Sequence, residues 1–128
     1  MKAQQFVLCG LYDSPNGIGK LMYYNCIDGT AVVRCGYYDF WVFPEDLEQI
    51  PITPEILTKI GLEQKCRTIF RLLDDYFDLT INEVNDGLWR ICYHNCEVSL
   101  PDQQQLIGYV DELQRFFTDC GIEKDIEL

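Results

Sequence analysis

The chain has 128 residues and a formal net charge of -11, from 10 basic and 21 acidic side chains. A chain of that length buries roughly two-thirds of its unfolded surface and needs neither a disulfide framework nor a metal to hold a core. Its acidity repels phosphate, so direct nucleic acid binding and adhesion to membrane headgroups are not expected.

The first segment, residues 3–12, reads as a strand that runs into the turn cluster Asp13-Ser14-Pro15-Asn16-Gly17. Its apolar run, Phe6 to Tyr12, is interrupted by Gly10 and ended by Asp13, which argues against a signal peptide. Leu21 to Cys35 reads as a hairpin turning at Asp28-Gly29, which would pair Cys26 with Ala31, Tyr24 with Val33 and Met22 with Cys35 on one face. Tyr37 to Phe43 is a further strand rich in aromatics. Residues 1–48 are thereby expected to form a small SH3-like β-barrel.

Pro44-Glu45-Asp46 breaks that pattern and opens a second half, residues 49–128. Within Ile50 to Gln64, Thr53 caps a helix, Pro54 is its first residue and Gly61 its stop. A four-stranded antiparallel meander is expected next. Asp74-Asp75 would turn Phe70 and Leu72 back on Leu79 and Phe77, and the loop Asn85-Asp86-Gly87 would pair Ile81 with Ile91 and Leu79 with Tyr93. A turn at Tyr93 to Cys96 would set Ile91 against Val98 and Trp89 against Leu100. From Asp102 to Cys120, apolar residues recur at the helical period (Leu106, Val110, Leu113, Phe117), with Asp102 as cap and Gly121 as stop. This amphipathic helix is expected to lie on the meander, giving an α+β fold. The two helix ends, Ile60-Gly61-Leu62 and Cys120-Gly121-Ile122, carry the same C-cap signature.

Seven cysteines, an odd number spread over the chain among apolar neighbours, read as reduced small hydrophobes in a cytoplasmic protein. No stretch approaches the roughly 18 apolar residues of a membrane span. Cys92-Tyr93-His94-Asn95-Cys96 holds the only histidine but would send its two thiols to opposite faces, so no metal site is expected there. Asp74, Asp75 and Asp78 suit turn hydrogen bonds, or alternatively the carboxylates of a small metal-dependent hydrolase. Asn16-Gly17-Ile18-Gly19-Lys20 lacks the glycine and the hydroxyl residue of a phosphate loop and reads as a hairpin connection. No serine or cysteine nucleophile has an identifiable base. In the aromatic strand, alternation sends Tyr37, Asp39, Trp41 and Phe43 one way and Tyr38, Phe40 and Val42 the other. One face would be barrel core, and the second either packs on the other half or, with Tyr23, forms a partner-binding patch.

At Ile50 to Glu63 and Ile107 to Glu123, the latter including Tyr109-Val110-Asp111-Glu112-Leu113-Gln114, the chain resembles a family of short proteins encoded by gut anaerobic bacteria and their prophages. The resemblance implies an accessory or mobile-element origin and a shared fold, with no catalytic residue to carry over. The leading expectation is a non-enzymatic, cofactor-free protein-binding module that uses Tyr23, Tyr38, Phe40 and Trp41, with a basic protein as partner and possible action as an inhibitor occupying a basic surface. A monomer is expected, or a weak dimer through an open sheet edge at Cys66 to Leu72.

Overall fold

The computed structural model describes residues 6–25, 27–95, 103–122, 126 and 128. Two antiparallel five-stranded sheets and two α-helices are distributed between two compact units, 1–50 with 109–127 and 51–108 with 128.

The first unit holds β1 (Leu11–Ser14), β2 (Gly17–Asn25), β3 (Thr30–Cys35), β4 (Tyr38–Val42), β5 (Glu48–Gln49) and the later helix α2 (Val110–Asp119). The sheet order is β4-β3-β2-β1-β5. Tyr12, Leu21, Ala31, Val33 and Leu47 form its buried cluster, with Phe6, Tyr24, Phe40 and Val42 packed around them. The second unit begins with α1 (Pro54–Lys59) and continues as an up-and-down meander of β6 (Glu63–Cys66), β7 (Ile69–Leu73), β8 (Phe77–Asn85), β9 (Leu88–Asn95) and β10 (Gln103–Ile107). Phe70, Leu79, Ile81, Trp89, Ile91 and Ile107 are buried there together with Leu57 of α1.

Several expectations are met locally. Thr53 Oγ1 accepts the Ile56 N–H at 3.3 Å, and Pro54 opens α1. Both helices end on a left-handed glycine. Leu62 N–H returns to the Leu57 carbonyl at 3.0 Å and Ile122 N–H to that of Phe117 at 2.8 Å, so the two C-caps are the same motif. Ile81 faces Ile91 and Leu79 faces Tyr93. A two-residue Asp86-Gly87 turn and a bulge between Glu83 and Asn85 together produce the offset expected from a three-residue loop. Asn16 to Lys20 spans the β1–β2 turn and the start of β2, a hairpin connection.

Other expectations are overturned. There is no closed barrel: the N-terminal sheet is open, because Pro44 starts a 3-10 turn (Asp46 N–H to the Phe43 carbonyl, 2.9 Å) and the chain then pairs β5 with β1, at the edge opposite β4. The first strand is displaced from residues 3–12 to Leu11–Ser14, taking in Asp13 and Ser14 of the expected turn, since Cys9 takes a left-handed φ of 66° and Gly10 N–H closes a turn onto Val7; residues 3–5 lie outside the described residues. The first hairpin is shifted: Tyr24 faces Ala31 and Leu21 faces Val33, across a bulge at Met22 and a longer loop organised by Asn25, whose Oδ1 accepts the Ile27 N–H at 2.9 Å. Cys26 lies outside the described residues.

In the second unit the meander has five strands rather than four, and Phe70 faces Ile81 while Leu72 faces Leu79. β9 runs straight through the expected turn to Asn95. The positions opposite Trp89 and Ile91 are Ile107 and Gln105, while Val98 and Leu100 lie outside the described residues. Residues 103–107 therefore belong to a strand and not to the last helix. Extended pairing satisfies their backbone along β9, and Gly108, a weak helix former, separates them from α2. The helix itself groups with the N-terminal unit, contacting β1, which replaces the expected seat on the meander. Its cap is also later than Asp102: Glu112 Oε1 accepts the Tyr109 N–H at 3.1 Å.

Candidate functional site

The β3–β4 hairpin turns on Gly36-Tyr37. Glycine with φ 65° at the first turn position supplies the conformation that a II′-type turn requires. Cys35 then closes the hairpin against Tyr38, Val33 faces Phe40 and Ala31 faces Val42, putting Phe40 and Val42 against the buried cluster. Asp39 and Trp41 point the other way, beside Arg34 and Val32. Tyr23, opposite Val32, meets Trp41 edge to face at a centroid distance of 6.5 Å.

The four residues expected to bind a partner thus separate. Tyr23 and Trp41 share the outer face, and Trp41 is 72% exposed. Phe40 is half-buried in the core and is no surface contact. Tyr38 lies on the core-side register but, at the hairpin end, remains 71% exposed. Tyr37 and Phe43 flank the strand, both well exposed. The charges beside Trp41 are tied together: Arg34 Nε donates to Asp39 Oδ1 at 2.8 Å and Nη2 to Oδ2 at 3.2 Å. The Arg34 hydrogen bond holds the Asp39 carboxyl below its ordinary range.

The acidic turn of the second unit is arranged differently. Asp74 Oδ1 accepts the Tyr76 N–H at 3.1 Å, a local turn bond. Asp78 takes a two-pronged contact from Arg71 at 2.9 and 2.8 Å, which depresses its pKa. Asp74, Asp75 and Asp78 do not converge, and among the described residues no three metal-ligating side chains do. His94 lies in β9 facing Asp78, not in a turn, and Cys92 faces Thr80 and Gln104. Of the open edge expected at Cys66 to Leu72, the part in β7 is covered, because β7 pairs with β6 on one side and β8 on the other, and the edge passes to β6, which holds Cys66.

One polar constellation escaped the sequence reading. Asp111, only 1% exposed, accepts the Tyr12 hydroxyl at 2.9 Å and the Gln49 amide at 3.1 and 3.2 Å, while Tyr12 Oη accepts the Val7 N–H at 2.8 Å. Burial, with the Asp111 carboxylate nearby, drives the Tyr12 hydroxyl well above its ordinary pKa. Helical periodicity places Asp111 on the polar side of the last helix; it is buried because the first turn of α2, where the helix dipole favours a carboxylate, meets Tyr12 and Gln49. Both carboxylate oxygens take protein donors, so the group fastens β1, β5 and α2 of the first unit together.

Comparison with protein-family models, with curated proteins and with solved structures gives no match. Among the described residues no helix is long and apolar enough to cross a membrane. The cysteines described, Cys9, Cys35, Cys66, Cys92 and Cys120, are in no disulfide.

Proposed function

We propose that the chain is a non-enzymatic, acidic protein-binding module whose contact surface is the aromatic margin of the N-terminal sheet, Tyr23 and Trp41 with Tyr38 at its end. The observation that carries this is Trp41, a residue type that anchors interfaces, left 72% exposed on a strand whose opposite face is core. The net charge of -11 favours a basic partner, and occupation of a basic surface on that partner is the simplest mode of action. Cysteines in no disulfide suit a reducing, cytoplasmic setting. A family resemblance in the C-terminal half gives the reading an accessory or prophage origin.

The test compares the natural chain with a Tyr23→Ala/Trp41→Ala variant as bait. Trp41 is largely and Tyr23 about half in solvent, so the melting temperature should fall by no more than a few degrees. Partners kept by the natural chain at low salt should be absent from the variant. Equal retention by both would remove this surface from consideration.

A further inference from the structure

A sheet edge exposes unpaired backbone donors and acceptors, and soluble proteins usually blunt it with charge, bulges or short strands. Among the described residues this chain has four such edges. β5 is two residues long. β6 carries Glu63 and Lys65, joined at 3.1 Å, and a bulge before Cys66. β10 presents Gln103, Gln104 and Gln105, three uncharged polar residues, before Leu106 and Ile107. β4 has no comparable protection: its sequence is Tyr38-Asp39-Phe40-Trp41-Val42, and its single charge is neutralised by Arg34.

Antiparallel strands alternate between residues that bond across the ladder and residues that face away, and a two-residue turn is closed by a bonded pair. Closure at Cys35 and Tyr38 assigns Tyr38, Phe40 and Val42 to β3. The N–H and C=O groups of Asp39 and Trp41 are therefore directed at the open side. A strand laid along them would place alternate side chains beside Trp41 and Asp39.

Beyond the Arg34–Asp39 pair, the charge that directly follows β4 is acidic: Glu45 and Asp46 stand in the 3-10 turn after it. Asp28, in the β2–β3 loop, lies at the Val42 end of the same sheet. An arginine or lysine in an added strand would find the Trp41 face for a cation–π contact and carboxylates beyond it. A second copy of the chain brings a further -11 and is disfavoured by the same charges.

We propose that β4 is a docking edge that takes an extended, basic segment of a partner protein as the sixth strand of the N-terminal sheet. This rests on the binding-module reading and specifies how that module binds. The probe is a displayed library of random dodecapeptides selected on the full-length chain at low salt. Selected sequences should alternate arginine or lysine with apolar residues, and their affinity should fall severalfold as salt rises from about 0.05 to 0.5 M. Resynthesis with N-methyl groups on the backbone nitrogens that face β4 should weaken binding by about tenfold or more, the value of two or so hydrogen bonds. Asp39→Pro removes an edge N–H that β3 does not use and should abolish binding with the fold intact, whereas Asp39→Ala keeps the N–H and should bind.

Selected peptides that tolerate both N-methylation and Asp39→Pro but are lost in Trp41→Ala would overturn strand addition and leave the aromatic contact standing. Selection of no peptide, or a salt-resistant dimer of the chain that Asp39→Pro dissolves, would overturn both.

Discussion

Asp111 shows what a single residue contributes when its surroundings are closed. Its carboxylate is the shared acceptor of Tyr12 and Gln49, so each partner removed leaves a buried group short of a bond. Tyr12→Phe should destabilise the chain by about 1 to 3 kcal/mol in urea unfolding, and Asp111→Ala by at least as much, since it strands both donors. In a double-mutant cycle the two losses should be clearly non-additive. Asp78 presents the contrasting, half-exposed case. Arg71 lowers its folded pKa below the unfolded value near 4, so the stabilisation is complete above that value and fades as pH falls through the folded pKa. Asp78→Asn should lower the melting temperature by about one to four degrees at pH 7. The gap between variant and natural chain should narrow in melts as the pH falls through the folded pKa of Asp78.

Elements depend on where the backbone is forced to change direction. Gly61 and Gly121 sit at φ 103° and 75° in matching helix ends, and an alanine at either should cost about 1 kcal/mol or more by chemical denaturation. These stops were legible because glycine followed by an apolar residue is a local signal. The Ile81–Ile91 register was legible for a similar reason: its turn is a few residues away. Strand β10 was not. Gln103 to Ile107 continues the apolar period of α2 closely enough to extend that helix on paper, and only pairing with β9 outweighs it. Likewise the bulge at Met22 brings Leu21 and Tyr24 to one face, which strict alternation forbids. Within α2, Phe117 is fully buried, and Phe117→Ala should cost about 3 to 5 kcal/mol. A melting temperature unmoved by that change would contradict the packing.

At the scale of the molecule, the first unit is assembled from both ends of the chain, with residues 1–50 completed by 109–127. A chain ending at Gly108 lacks Asp111, Leu113 and Phe117. It should therefore lose hydrogen-exchange protection at Leu21, Ala31 and Val33 while Ile81 and Ile91 of the second unit stay protected. Loss of protection in both units alike would show that they fold as one.

The sequence by itself determined the acidity, the Thr53 cap of the first helix, the glycine stops of both helices, the hairpin register around Asp86-Gly87 and the aromatic character of β4. Each of these is written in a residue or in neighbours a few positions apart. The tertiary structure decided which sheet edge stays open, which unit takes α2 and that Asp111 faces inward. Those outcomes turn on competition between backbone pairings and burials distant in sequence, such as Tyr12 with Asp111, for which no local pattern carries a sign.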